Sequence, residues 1–434
     1  MEEEREFFLR SNKAFSGYLG LEGGELQSFR SCLKWVCVDQ SNLWRTGLSW
    51  SIFFVLAIGV PILSHFLFSC SSCDDKHTRP YDAIVQLSLS SLAALSFISL
   101  SALVKKYGLR RSLFLDKLCD VSEKVRLGYT QQLHRSMKLL SLFVLPCFAV
   151  EIAYKIWWYI TGATQIPYLG NIYLSHAIAC TLELCSWLYR TAIFLLVCVL
   201  FRLICHMQIL RLEDFAQVFQ KESDVGSVLK EHLRIRRNLR IISHRFRVFI
   251  LSSLILVTAS QLASLLITTR SSAKVTIYKA GELALCSISL VTGLGICLRS
   301  ATKITHKAQS VTCLAAKWHV CATIDTFDAT DGETPTIRAA SAQVFPVNTN
   351  WGSDDEEGDG DDVLDNTKMI PIYAHTISFH KRQALVTYLE NNRAGITVFG
   401  FMLDRTWLHT IFGVEMSLVL WLLSKTIAWT LKKA

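Results

Sequence analysis

Residues 47–69 of this 434-residue chain read GLSWSIFFVLAIGVPILSHFLFS, a stretch without Asp, Glu, Lys or Arg. About 20 predominantly apolar residues are enough for a helix to cross the hydrocarbon core of a bilayer. The sequence therefore predicts an all-α membrane protein with seven transmembrane helices, which we number spans 1 to 7. The other six apolar stretches are residues 82–104, 139–160, 173–203, 246–268, 280–299 and 396–429.

The composition supports a membrane protein over the soluble classes. Hydrophobic residues make up 51% of the chain and charged residues only 19%, whereas a soluble domain carries about 25% charged residues. The apolar residues form long runs, which excludes a secreted disulfide scaffold, a soluble enzyme and a nucleic-acid-binding domain. No GxSxG, Walker A or HExxH signature occurs, and the cysteine spacing fits no metal site. We therefore expect no enzyme, cofactor, metal or nucleic-acid partner, despite the net charge of +9.

Basic residues are concentrated in the connections on one side of the predicted membrane. The N-terminal segment carries six Lys and Arg residues, the connection after span 2 carries nine, and the connection after span 4 carries nine when Arg247 at the start of span 5 is included. The connections after spans 1, 3 and 5 carry two, none and three. Because basic loops stay in the cytoplasm, this asymmetry predicts a cytoplasmic N-terminus and an extracellular C-terminus. The plasma membrane is the expected location.

The connections divide the chain into segments of different character. An acidic run, SDDEEGDGDD at residues 353–362, lies in a polar stretch, and concentrated like charge of this kind predicts disorder. For residues 231–247 two interpretations stay open, a solvated helix at the membrane surface or part of a helical bundle in the cytosol. The predicted segments are a cytoplasmic N-terminal segment (1–46), spans 1–6 with long helical cytoplasmic connections (47–302), an extension of span 6 (303–323), a disordered linker (324–367), and a cytoplasmic helix that continues into span 7 (368–434).

Ionisable residues within the spans are candidates for a functional site, because each costs a few kcal/mol at mid-bilayer unless it is paired or hydrated. Such residues occur in spans 3 and 4, among several aromatic residues. They form either structural ion pairs beside an interfacial aromatic belt or the lining of a ligand cavity in the outer half of the membrane. The candidate pocket residues are Glu151, Tyr154, Lys155, Trp158, Glu183 and Trp187.

One face of span 7 is small and polar, whereas Glu415 lies on the opposite face at about 100° per residue. Small residues favour close helix–helix contacts in lipid, and hydroxyl groups suit a water-filled pore. Both interpretations stay open. The candidate pore-lining residues are Thr410, Gly413, Ser417, Leu420 and Ser424.

Span 7 also resembles a known family. Residues 395–426, GITVFGFMLDRTWLHTIFGVEMSLVLWLLSKT, are similar to the C-terminal helix of the insect gustatory and odorant receptors. The chain departs from that family at residues 417–418, which stand in place of Thr-Tyr, and at residues 424–425, which replace Gln-Phe. The best matches are Gly400, Phe401, Leu403 and Gly413.

By its span layout the whole chain resembles a plant family of seven-span proteins, described as extracellular ligand-gated ion channel-like and distantly related to the insect receptors. The resemblance implies a homotetramer in the lipid bilayer, a cation pore lined by span 7, and a small-molecule pocket among spans 2, 3, 4 and 6. The predicted function is a ligand-gated, cation-conducting channel of the chemoreceptor type that binds a small organic ligand. The alternatives are a non-conducting membrane scaffold or signalling protein and, with less support, a transporter.

Overall fold

The computed structural model describes residues 43–67, 79–113, 123–161, 171–218, 225–269, 277–328, 344–347, 368–371 and 379–431. Within these ranges the long apolar runs of the sequence are helical. We label the helices α1 (Leu43–Phe54), α2 (Val60–Leu67), α3 (Asp82–Leu113), α4 (Glu123–Thr161), α5 (Ile172–Val218), α6 (Val225–Thr269), α7 (Ile277–Asp328), α8 (Phe379–Asn391) and α9 (Arg405–Leu431).

Seven stretches of helix in the described residues are long and apolar enough to cross a membrane, which confirms the predicted all-helical seven-span class. Helices α5, α6 and α7 contain 47, 45 and 52 residues, far more than the about 20 that cross the hydrocarbon core. The seven stretches are Trp44–Phe66, Asp82–Lys105, His134–Thr161, Tyr173–Ala216, Val225–Thr269, Gly281–Val320 and Arg405–Ser424.

Span 1 contains a π-helical turn, Val55–Gly59, between α1 and α2. The N–H of Val60 donates to the carbonyl of Val55, five residues earlier. In the same register Leu56 would pair with Pro61, whose ring nitrogen carries no hydrogen. The hydroxyl of Ser186 on α5 donates to the Leu56 carbonyl instead, at 2.6 Å. Because Pro61 cannot donate to it, the Leu56 carbonyl is available to Ser186, and this hydrogen bond links span 1 to span 4.

The chain divides into two compact units. The first comprises residues 1–203, 248–297 and 409–434 and holds most of the apolar spans. Its core includes Phe53 and Phe97, whose rings stack with centroids 4.4 Å apart, and Trp50, which meets Phe97 edge-on at 4.8 Å.

The second unit comprises residues 204–247 and 298–408. In it Ile235, Leu239 and Ile242 are buried, and Arg236 donates to the side-chain oxygen of Asn392 at 2.7 Å. This packing favours the bundle interpretation of residues 231–247 over a solvated surface helix. Leu233, an apolar residue of the same segment, is exposed.

The predicted cytoplasmic helix that continues into span 7 (368–434) is interrupted by a hairpin, and the predicted start of span 7 at residue 396 lies before that hairpin. Residues 397–402 form a hairpin in which β3 (Thr397–Val398) pairs with β4 (Phe401–Met402). The two turn residues, Phe399 and Gly400, have φ angles of 48° and 94°, and positive φ at both positions is typical of the type I′ hairpin turn. The helix of span 7 begins at Arg405.

Side-chain hydroxyls fix this hairpin within the second unit. The N–H of Ile396 donates to the hydroxyl of Thr305 at 3.1 Å, and the N–H of Thr397 donates to that of Ser243 at 3.0 Å. A Cβ at Gly395 would lie 2.9 Å from the Thr305 methyl group, so the backbone approaches α7 closely there. The chain entering span 7 is therefore held by two other helices.

The predicted linker, 324–367, lies mostly outside the described residues, as do its acidic run and the N-terminal segment up to residue 42. Within the linker, α7 continues to Asp328. Val344–Val347 (β1) pairs antiparallel with Lys368–Pro371 (β2).

Candidate functional site

A cluster of charged side chains in the first unit is centred on Lys155 of α4. Its ammonium nitrogen, Nζ, lies 2.5 Å from Oε1 of Glu282 on α7 and 3.0 Å from Oε2 of Glu183 on α5. Glu151, one turn earlier on α4, lies 3.8 Å from the same nitrogen. All four side chains are buried. A single cation therefore joins three spans through three carboxylates.

Arg79, which precedes α3, adds a second cation to this cluster. Its Nη1 lies 3.2 Å from Oε1 of Glu183 and 3.4 Å from Oε2, and the Ser64 hydroxyl donates to the same carboxylate. The guanidinium carbon lies 3.7 Å from the ring centroid of Trp158, a cation–π contact. Burial lowers the pKa of Arg79, but the carboxylates of Glu183 and Glu282 outweigh it and raise that pKa above its ordinary value. Arg79 is therefore charged.

The structure brings together four of the six predicted pocket residues. Glu151, Lys155 and Glu183 belong to the charged cluster, and Trp158 covers Arg79. Tyr154 is half-buried, with its ring centroid 5.9 Å from Nζ of Lys155. Trp187 is buried against Phe148, with ring centroids 6.0 Å apart.

Three members of the cluster are not among the residues predicted from the sequence. Glu282 lies inside span 6, so it carries the same signal as Glu151 and Glu183, an ionisable residue within a span. Arg79 lies in the connection after span 1, where a basic residue gives no sign of a buried site. Ser64 carries no signal in the sequence, because a serine in an apolar helix is common.

The predicted pore-lining residues share one exposed face of α9. Thr410, Gly413, Ser417, Leu420 and Ser424 are all exposed. The opposite face packs within the first unit, where Glu415, Val419 and Leu422 are buried. The hydroxyl of Thr258 on α6 donates to Oε1 of Glu415 at 2.5 Å. Within the described part of the chain, the polar stripe is therefore not a packing contact.

Helix α7 connects the charged cluster to span 7. It carries Glu282 in the cluster, and thirteen residues later Gly295, where a Cβ would lie 3.3 Å from the ring of Phe412 on α9. At Gly293 a Cβ would lie 2.3 Å from the ring of Phe194 on α5. The two glycines let aromatic rings from α5 and α9 pack against the backbone of α7.

The seven long apolar helices identify a multi-pass integral membrane protein. The chain belongs to the family described as "Protein of unknown function (DUF3537)", which residues 24–414 match. No sequence among the curated proteins matches this chain.

The fold is similar to that of the insect olfactory receptor OR5 from Machilis hrabei, solved in complex with eugenol. The TM-score is 0.53 and the sequence identity 11%, over 92% of this chain and 99% of the receptor chain. A second structure of the same receptor gives a TM-score of 0.47 and 10% identity, over 88% and 90% of the two chains. The first likeness confirms the predicted resemblance to insect chemoreceptors at the level of the fold.

Proposed function

We propose that this protein is a chemoreceptor-like, ligand-gated, cation-conducting channel of the plasma membrane, a homotetramer in which span 7 of each subunit lines the pore. The observation that carries this proposal is the orientation of α9. Its acidic residue, Glu415, is buried against α6, whereas its stripe of hydroxyls and a glycine is exposed. A stripe of this chemistry suits a wetted conduit.

The hydroxyl groups and the leucine of the stripe suit the lining and the gate of a pore. Four copies of Ser417 and Ser424 around an axis would present hydroxyl oxygens to a passing cation. Leu420 lies between them and is 59% exposed, so four copies would form an apolar ring that closes the pore by dewetting. In this arrangement the stripe is covered by water and neighbouring subunits instead of lipid.

The ligand site we propose lies at the charged cluster, with Glu151, Tyr154, Lys155, Trp158, Glu183 and Trp187 as its residues. Support comes from the convergence of charged and aromatic side chains from α4, α5 and α7. A receptor of similar fold has been solved with a small organic molecule, eugenol. A ligand that competes for Lys155 or Arg79 would loosen the links between these helices, and α7 would transmit the change to α9. Such a ligand shifts the equilibrium between the closed and open forms only to the extent that it binds the open form more tightly than the closed form.

Current through the reconstituted protein tests this proposal. Ser417→Phe places a bulky ring on the stripe and is expected to reduce the current while leaving assembly intact. Ser51→Phe is the matched control, because Ser51 is also exposed on a span and its hydroxyl also bonds the glycine carbonyl four residues earlier. Absence of current from the wild type, or equal currents in the two variants, would contradict the proposal. An assembled but silent protein would favour the scaffold alternative.

A further inference from the structure

The charged cluster contains one carboxylate that no cation contacts at hydrogen-bonding distance. Among the described residues, the cations within 4 Å of Glu151, Glu183 and Glu282 are Arg79 and Lys155, and each of these five side chains is at most 7% exposed. A third buried cation, Arg190, lies near these carboxylates but donates to two backbone carbonyls and to the hydroxyl of Ser90. A buried charge that accepts no hydrogen bond is costly, and one of the three carboxylates is unbalanced in this sense.

The unbalanced carboxylate is that of Glu151. Its two oxygens are buried and accept no hydrogen bond from the residues that the structure describes. Nζ of Lys155, at 3.8 Å, lies beyond the about 3.2 Å limit of an N–H···O hydrogen bond. That nitrogen is committed to Glu183 and Glu282, at 3.0 and 2.5 Å. Both oxygens of Glu151 can therefore accept a hydrogen bond from a donor that does not belong to the cluster.

The electrostatic surroundings of Glu151 come from every helix packed around it. The cations near Glu151 are hydrogen-bonded to other groups. Arg79 bonds Glu183, Lys155 bonds Glu282, and Arg190 donates to the carbonyl of Ser186. The titratable and charged groups that face Glu151 are Arg79, Tyr154, Lys155, Glu183, Arg190, Glu282 and Cys286.

We infer that Glu151 binds one monovalent cationic hydrogen-bond donor, either a proton or the ammonium group of a small amine. A proton converts the carboxylate to the neutral acid, and an ammonium group donates an N–H to it, so either occupant removes the unbonded negative charge of Glu151. Among the described residues no group of His, Cys, Asp and Glu is placed to hold a metal ion, which favours such a donor over a metal. The ammonium occupant rests on the proposed ligand site at this cluster, whereas the proton occupant does not.

The two occupants leave different signatures in the thermal stability of the purified protein. A proton taken up on folding stabilises the folded form at low pH, and this stabilisation is lost as the pH rises. An ammonium ligand stabilises the folded form at fixed pH, in proportion to its concentration over its dissociation constant. Neither readout needs a current, so a silent channel leaves the test intact.

The experiment compares a Glu151→Gln protein with a parent that keeps Glu151, in lipid nanodiscs, from about pH 5 to about pH 9. Both proteins also carry Glu415→Gln, because Glu415 is a second buried carboxylate that would add its own pH dependence. We expect the melting temperature of the parent to fall as the pH rises and that of the Glu151→Gln protein to change less. The glutamine has the shape of the protonated acid, so the variant is expected to fold.

The ammonium occupant is probed with methylammonium chloride at fixed pH. The control is tetramethylammonium chloride at the same concentration, because that cation has no N–H donor. Stabilisation by methylammonium alone, lost in Glu151→Gln, would assign an ammonium site, and a pH response alone would assign a proton. Equal stabilisation by both salts would contradict the ammonium occupant. The inference is wrong if the parent responds to neither pH nor methylammonium, or if Glu151→Gln responds as the parent does.

Discussion

The hydroxyl of Thr258 lies 2.5 Å from Oε1 of Glu415 and ties span 5 to span 7 at a partly buried position. This contact fixes the rotation of α9 about its own axis. Ser417 follows Glu415 by two residues, so the two side chains project about 160° apart. With Glu415 held inside the first unit, Ser417 and its stripe necessarily point out of it.

Removing the Thr258 hydroxyl is expected to destabilise the protein. Thr258→Val leaves Oε1 of Glu415 without its donor, which costs about 1–3 kcal/mol for a buried polar group. Thermal unfolding in nanodiscs measures the effect. Thr269→Val serves as the control, because Thr269 is exposed on the same helix and, among the described residues, its hydroxyl bonds carbonyls of that helix alone. Equal losses from the two variants would show that the contact with Glu415 contributes nothing.

Replacing Lys155 is expected to cost more. Lys155→Met removes the cation that Glu183 and Glu282 share and leaves buried carboxylates unpaired, a loss of about 3–5 kcal/mol. The exposed Lys381 of α8 provides the control substitution, Lys381→Met, which is expected to change stability by less than about 0.5 kcal/mol. A Lys155→Met protein as stable as the wild type would refute the ion cluster.

The π-helical turn of span 1 gives a prediction for a pair of substitutions. Ser186→Ala removes the donor to the Leu56 carbonyl and is expected to cost about 1–3 kcal/mol. In a Pro61→Ala background the loss is expected to be smaller, because residue 61 then has an N–H that can donate to the helix. A double-mutant cycle on melting temperatures reads the difference. Strict additivity of the two substitutions would show that Pro61 has no part in this contact.

The hairpin before span 7 is sensitive to its turn residue. Gly400 has a φ of 94°, so Gly400→Ala is expected to lower stability by more than about 1 kcal/mol. Gly47→Ala is the control, since Gly47 lies inside α1 with nothing within 4 Å of a new Cβ. It is expected to leave stability unchanged or raise it by up to about 1 kcal/mol. The reverse order of the two effects would contradict the described turn.

The orientation in the membrane is tested by tags at the two ends of the chain. The excess of Lys and Arg in the N-terminal segment and in the connections after spans 2 and 4 predicts a cytosolic tag before Met1 and an external tag after Ala434. Protease protection of sealed cells reads both positions. Two tags on the same side would exclude seven crossings.

How far the sequence predicts this molecule depends on how local each feature is. The spans follow from runs of apolar residues, so hydropathy alone finds all seven. The pairing of Glu151 with Lys155 is also local, because the two residues are one helical turn apart. The partners Glu183 and Glu282 reach Lys155 from other helices, 28 and 127 positions further along the chain, and no periodicity within one segment connects residues so far apart.

The hairpin at residues 397–402 shows a second limit. Its residues, Thr-Val-Phe-Gly-Phe-Met, are mostly apolar and continue the hydrophobic pattern of span 7. A single glycine in such a run fits either a helix or a turn. The turn is decided by hydroxyls far away in the sequence, those of Thr305 and Ser243, which accept the hydrogen bonds of the chain just before it.

Imaging of the purified protein in nanodiscs tests the central claim, that span 7 lines the pore of a tetramer. We predict particles with four-fold symmetry in which α9 is the innermost helix and Ser417 faces the symmetry axis. Glu415 would point away from the axis, toward Thr258 of the same subunit. A monomeric particle, or an oligomer in which the face bearing Ser417 contacts lipid, would contradict the account.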